Sequence, residues 1–294
     1  ISFDYKDPKT GKVVKAGGKA DRNGFFFVND RTNGKLINAF PFVNKITWAT
    51  GYNLETGRPN YIEEGRPGDP TAGTDGKKGK AGHSGDLVAA PRLDNLATAY
   101  AGVQALIAAD AALAGDGARI PLLVLFDHEE IGSMTDRGGF RSFLPTLLER
   151  VVLSRGGDRE DLHRALADSL VCSADMAHAT HPNYIERHEP ERRIAINGGP
   201  VLKVDAKGRY ASDAPGAAAF ALACEQAGVP MQRFVVRSDL PCGSTIGPMS
   251  AALTGVVTVD VGAPMLSMHS AREMCGADDP AMYVAALTAM LAPA

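Results

Sequence analysis

Two adjacent carboxylates follow an apolar run in this chain, and that juxtaposition restricts its fold more than any other feature. The run is Pro121-Leu122-Leu123-Val124-Leu125-Phe126, and Asp127-His128-Glu129-Glu130-Ile131-Gly132-Ser133 comes directly after it. The run reads as a buried strand. Carboxylates at the mouth of a buried strand are costly unless a cation sits beside them. In an α/β sheet, ligands bind in the crevice at the carboxyl ends of strands. The pair therefore points to a metal site, with one Glu as ligand and the other as general base. A solvated loop that carries two acids is the structural alternative.

The surrounding pattern supplies such a sheet. Ala97 to Leu113 reads as an Ala-rich amphipathic helix, and Ile120 to Phe126 as a strand. Phe140 to Leu153 and Arg159 to Ser169 read as helices, and Leu170 to Ala174 as a short strand. Pro200 to Val204 is a strand, Ala214 to Ala227 a helix and Arg233 to Val236 a strand. Thr245 to Leu253 is a helix, Val256 to Val261 a strand and Pro280 to Leu291 a closing helix. Strands alternating with helices predict an α/β fold, with a mostly parallel, doubly wound sheet and helices on both faces.

Residues 1–85 differ in kind. Gly24-Phe25-Phe26-Phe27-Val28 and Ala39-Phe40-Pro41-Phe42-Val43 are short apolar pieces separated by turn dipeptides, which predicts a small β-rich module. Glu64 to Lys80 is almost without apolar residues and reads as a mobile loop or linker. The boundary is placed there, with 1–85 as the N-terminal module and 86–294 as the main domain.

Composition excludes several classes. The net charge of −3 gives no basis for a nucleic-acid or anionic-membrane partner. No apolar run approaches the roughly 18 residues needed to span a bilayer. The chain opens Ile1-Ser2-Phe3 with no signal-peptide pattern and no Met, so a trimmed, processed or fragmentary chain is expected. Cys172, Cys224, Cys242 and Cys275 form no Cys-x-x-Cys pair, and a reducing, cytoplasmic setting is expected.

Further acids and a histidine fall where elements end. Asp94 precedes the Ala-rich helix and could be its N-cap. Asp175 follows Leu170 to Ala174 and could be a turn residue. His269 follows the Val256 to Val261 strand. Taken together, such acids at converging strand ends would repel one another without a cation. Carboxylate and imidazole are ordinary zinc ligands, and two metals about 3.5–4 Å apart could share one carboxylate.

Several longer motifs carry a resemblance. They are Pro91-Arg92-Leu93-Asp94-Asn95, Asp127 to Ser133, Ser173-Ala174-Asp175-Met176-Ala177-His178, His181-Pro182-Asn183-Tyr184, Gly199 to Val204, Arg209-Tyr210-Ala211, Arg237 to Pro248 and Met268-His269-Ser270. In this order they resemble the aspartyl aminopeptidase family of dinuclear zinc exopeptidases, from about Asp86 to the C-terminus. The resemblance implies a zinc exopeptidase-like fold and removal of N-terminal Asp or Glu from peptides. It implies Asp94 as the carboxylate bridging two zinc ions, Glu130 and His269 as further ligands of one, and Asp175 as a ligand of the other. Glu129 would be the general base. Lys203, with Tyr210 nearby, would receive the acidic side chain of the substrate, and His178 would contact substrate or support a ligand. A Lys203 stem reaching out to solvent is the plain alternative, and His181 is equally open to a structural role. Gly243-Ser244-Thr245 is expected to open a helix.

The resemblance is incomplete. The family's second metal also takes a histidine from an upstream His-Thr-Asp step. This chain has no histidine before His83 and no such step. His83 could substitute only if the loop before it folds into the site, and an isolated loop histidine is the expected reading. Residues 1–85 fall where the family inserts a β-rich dimerisation domain that also lends a histidine to the neighbouring subunit. Phe42 to Trp48 is the corresponding stretch and has none. A homo-oligomer is expected from the resemblance. Manganese or cobalt could replace zinc in a carboxylate–imidazole site. A catalytically silent assembly subunit, or a related dinuclear aminopeptidase of different specificity, is the alternative function.

Overall fold

The computed structural model describes residues 2–7, 10–20, 25–41, 49–56, 58–61, 80–81, 86–113 and 119–293. The chain forms two compact units, Ile1–Gly85 and Asp86–Ala294.

In the first unit, β1 (Ser2–Lys6), β2 (Val13–Ala20), β3 (Phe25–Asp30) and β4 (Leu36–Pro41) form an antiparallel sheet in sequence order. β5 (Ala49–Tyr52) pairs with β6 (Pro59–Tyr61), and β7 is the short strand Lys80–Ala81. The edge of Tyr52 packs on Phe25 and Phe27, at ring separations of 5.1 and 4.8 Å. These aromatic contacts add to a small core that also buries Ala16, Val28 and Ala49. The expected linker from Glu64 to Lys80 lies outside the described residues except at Lys80, and the stretch Phe42–Trp48 and His83 lie outside them entirely.

The second unit is α/β. Its strands are β8 (Leu87–Ala90), β9 (Leu170–His178), β10 (Val201–Val204), β11 (Gln232–Val235), β12 (Val257–Leu266) and β13 (Glu273–Gly276). The order is β11-β10-β12-β13-β8, with β9 also on β12. The sheet is mixed rather than mostly parallel. β9–β12 and β10–β11 are parallel, whereas β10–β12, β12–β13 and β13–β8 are antiparallel. β12 runs directly back through a tight connection into β13, and only an antiparallel neighbour permits that.

The helices are α1 (Leu93–Ala112), α2 (Phe143–Ser154), α3 (Arg159–Ala167), α4 (Ala214–Ala227), α5 (Gly247–Thr254) and α6 (Asp279–Leu291). Side chains alternate along β12. Val259, Val261 and Ala263 join the core formed with α1, α4 and α6. α5, backed by α2, packs on the opposite face. There, a Cβ on Gly247 would strike the Asp260 carboxylate. α4 begins where Asp213 accepts the Gly216 N–H and ends at Gly228 with φ 65°, the two signals that bound a helix in sequence.

Four local expectations are corrected. Residues 120–126 are not a buried strand. They form no ladder with any described strand, and Ile120 and Leu125 are 55% and 62% exposed. Among the described residues the run has no neighbouring strand to accept its backbone hydrogen bonds. Only one side is packed, with Leu123 against Gly102 and Phe126 edge-on to Phe143. Second, α1 lacks the polar face of an amphipathic helix. Leu96, Tyr100, Val103 and Ile107, one helical stripe, are exposed opposite the buried Ala101, Ala105 and Ala109. Third, Asp175 does not end its strand, because β9 stays in register with β12 to His178 and Asp175 pairs with Gly262. Fourth, Gly243–Thr245 lie in the loop ahead of α5. No helix among the described residues is long and apolar enough to cross a membrane.

Candidate metal centre

The site forms where connections leave the sheet. β8 delivers Asp94 into the first turn of α1. That turn is irregular: Asp94 has φ −81° and ψ 107°, and the residue in the cap position is Arg92. Asp94 is therefore not the N-cap, and its carboxylate is turned to a different partner. Glu129 and Glu130 sit in a single 3₁₀ turn, Glu129–Ile131, entered through His128 at φ 61°. His269 follows β12 with φ 64°. Six non-glycine residues adopt positive φ among those described. Five of them (Arg92, His128, Ser133, Ser267 and His269) flank these three connections. Each such conformation costs about 1–3 kcal/mol and persists only where its surroundings enforce it.

Asp94, Glu130 and His269 come together. The His269 Nε2 lies 2.9 Å from a Glu130 oxygen and 3.1 Å from a carboxylate oxygen of Asp94. One ligand atom from each of the three residues falls within 4.8 Å of the others. Ligand atoms at about 2.0–2.1 Å from a tetrahedral zinc lie about 3.3 Å apart, close to the two separations that His269 makes with Asp94 and Glu130. The donor set, two carboxylates and an imidazole, suits zinc.

Electrostatics agree with that fit. Asp94 is pushed up to about 8, first by burial, then by the charges of Asp175 and Glu130 and by its hydrogen bond with Asp175. Glu129 is pushed up to about 7 by burial and by the charges of Asp175 and Glu130, with Lys203 and His269 pulling the other way. Carboxyls held so far above their usual range mark a place where a cation would be stabilised.

Asp175 behaves oppositely. Burial pushes it up, but the Lys203 charge and hydrogen bond, with the Met176 N–H and Asp94, outweigh this and hold it below the usual carboxylate range. The Lys203 Nζ donates to Asp175 Oδ2 at 2.9 Å. Lys203 is 3% exposed, so its stem does not reach solvent. Its ammonium also sits 5.6 Å from the centre of the Tyr210 ring. Tyr210 is buried and packs on Phe234, and its hydroxyl is held far above its usual pKa by that burial and by Cys242. The His178 imidazole is shifted down by loss of water and by the nearby Lys203 charge. Asp94, Glu129, Asp175, His178, Lys203 and Tyr210 all line one pocket, which Gly243, Ser244 and Thr245 also border. His181 does not line that pocket: its Nδ1 accepts the Asn183 N–H, and its backbone N–H donates to the His188 Nε2.

Two buried acids beneath the pocket escaped sequence reasoning. Glu273 accepts the Asp94 N–H at 3.0 Å and the His269 N–H at 2.6 Å. Asp260 accepts the Ala211 N–H at 2.6 Å and the Thr245 hydroxyl. Asp260 lies inside the apolar strand β12, and an acid there was the available signal; Glu273 opens β13 directly after Ser270-Ala271-Arg272 and carried no such signal.

The chain matches the family described as aminopeptidase I zinc metalloprotease (M18) over residues 74–290. The probable M18 family aminopeptidase 2 of Mycobacterium tuberculosis (strain H37Rv) is 60% identical over 205 residues, covering 70% of this chain and 47% of that protein. The chain thus spans about half the length of the curated relatives it matches. The fold is similar to a chain in the cryo-EM structure of the Ape4 and Nbr1 complex, with 40% identity and a TM-score of 0.64, over 72% of this chain and 40% of that one. It is also similar to the S. cerevisiae mApe1 dodecamer, with 31% identity and a TM-score of 0.59, over 71% and 46%. A family match across most of the chain, over the same residues that build the donor cluster, makes this chain a member of the M18 family of zinc metalloprotease aminopeptidases.

Proposed function

We propose that the chain acts in a metal-dependent aminopeptidase that removes acidic residues from peptide N-termini. The observation that carries this is one pocket lined by Asp94 and His269, by a carboxyl with a pKa of about 7 at Glu129 and by the buried cation Lys203, with Glu130, 2.9 Å from the His269 Nε2, completing the donor group. Zinc, when bound, supplies Lewis acidity that polarises the scissile carbonyl and eases ionisation of water. Glu129 takes a proton from the attacking water and delivers it to the leaving amine, and a pKa near neutrality suits both transfers. Lys203 keeps two N–H groups beyond the one given to Asp175, and these can receive the side-chain carboxylate of an N-terminal Asp or Glu. Tyr210 fixes the ammonium from its other side. His178, kept neutral, can accept or donate at the pocket rim.

Asp94 and Asp175 would share a second metal, but Lys203 already neutralises Asp175. Among the described residues, the one grouping with ligand geometry is Asp94, Glu130 and His269. That favours a single tightly bound zinc in this chain, with manganese or cobalt as substitutes. It also supports a second reading, a catalytically silent assembly subunit. Residues 1–85 would serve as a dimerisation module and the whole as a cytoplasmic homo-oligomer, in keeping with the dodecameric relative.

The test is turnover of chromogenic Asp, Glu and Leu amides by the purified chain with zinc or manganese added. Preference for Asp and Glu is expected. Preference for Leu would replace the acidic specificity with a neutral one. A chain that binds zinc yet hydrolyses none of the three is the silent subunit.

A further inference from the structure

We propose that Glu273 is the positioning residue that holds Asp94 and His269 in ligating register, an assignment that rests on the metal centre proposed above. Asp94 and His269 lie 175 residues apart in sequence, on different connections. Glu273 meets both. Its Oε2 accepts the Asp94 N–H at 3.0 Å, and its Oε1 accepts the His269 N–H at 2.6 Å. One carboxylate thus clamps the two backbones, while the side chains they carry meet 3.1 Å apart.

The clamp has a rigid base. Glu273 begins β13, where it pairs with Ala90, the last residue of β8, just before the chain turns into α1. It is 2% exposed. A carboxylate so buried must be satisfied by donors, and here both oxygens are occupied by backbone N–H groups. That occupancy separates Glu273 from the ligands: it neither borders the pocket nor belongs to the three-residue donor group. The clamp also explains how a non-glycine residue keeps φ 64° at His269, because the N–H that this conformation presents is captured at short range. Partners outside the ligand shell orient the ligands, and their loss typically lowers metal affinity about 10–100-fold.

The experiment compares wild type with Glu273→Gln. In the variant, one backbone N–H loses its acceptor and faces an amide donor instead. Zinc affinity is read by competition with a chromophoric chelator, and amide hydrogen exchange at Asp94 and His269 by NMR. The expected result is a loss of about 10–100-fold in zinc affinity, with faster exchange at one or both amides. Affinity within twofold of wild type would overturn the proposal, whatever the melting temperature does, because a purely structural acid would leave zinc alone. A wild-type chain that binds no zinc would break the reading of the centre itself. Glu273 would then be judged on exchange alone, and unchanged exchange at both amides would overturn it. If Glu273→Gln does not fold, the wild-type amides decide: slow exchange at both supports the clamp, and fast exchange at either sinks it.

Discussion

Asp94 and Asp175 are neighbouring carboxyls, both largely removed from water, yet they titrate in opposite directions. Asp94 rises to about 8, while Asp175 falls below its usual range. The difference is the partner. Asp175 has a built-in cation, Lys203, at 2.9 Å. Asp94 has only other acids and an imidazole. One corner of the pocket is neutralised by the chain itself, and the other is arranged so that a cation from outside completes it. The same fold therefore separates a corner suited to an anionic side chain from one suited to a metal.

Glu129, between the two corners, gives the largest way to break this division of labour. Glu129→Gln is expected to lower peptidase turnover by about 10²–10⁴-fold with zinc content unchanged. Activity that survives would remove Glu129 from the proton transfers. Lys203→Met tests the self-neutralised corner. It leaves Asp175 buried and unpaired, and breaking such a pair from one side costs about 3–5 kcal/mol. Denaturant unfolding should show that loss, and any remaining activity should no longer favour acidic over neutral substrates. A variant as stable as wild type would mean that Lys203 is not what holds Asp175 ionised. At the other corner, His269→Ala removes the one nitrogen donor. Zinc affinity should fall by at least about 100-fold, beyond the loss typical of residues outside the ligand shell, while the fold is retained. A smaller loss would place the metal elsewhere.

A further effect is on pH dependence, and it sharpens the comparison most. Asp94 and Glu129 have folded pKa values above their unfolded ones, near 8 and 7 against 3.8 and 4.5. Between those limits the folded chain binds more protons than the unfolded one, so stability falls as pH rises. Asp175, shifted down, loses stabilisation only in acid, below its ordinary range. The metal-free chain should therefore melt at a lower temperature at pH 8 than at pH 5, and zinc should reverse the drop. A melting temperature that rises across that window without zinc would contradict the assignment.

What the sequence discloses follows from where each signal is stored. α4 is legible because its limits are local: Asp213 starts it, Pro215 fits its first turn and Gly228 ends it. The Asp94, Glu130 and His269 group is legible because carboxylate and imidazole at element ends are chemically distinctive, and the motifs around them resemble a known family. The strand expected at 120–126 fails because a strand depends on a neighbour, and apolar composition cannot say whether one is present. The amphipathic reading of α1 fails for the same reason: Leu96, Tyr100, Val103 and Ile107 are apolar, yet no described element covers them. The sheet's mixed direction is hidden in the return from β12 to β13. Glu273 is hidden because it acts on backbone N–H groups, and a backbone donor leaves no mark on residue type.

The central claim is that the uncompensated corner takes a metal. Anomalous diffraction at the zinc edge, from crystals of the chain grown with zinc, tests it directly. One zinc among Asp94, Glu130 and His269, with Lys203 still on Asp175, is the predicted result. No zinc at that trio, or two zinc ions with Lys203 displaced from Asp175, would contradict it.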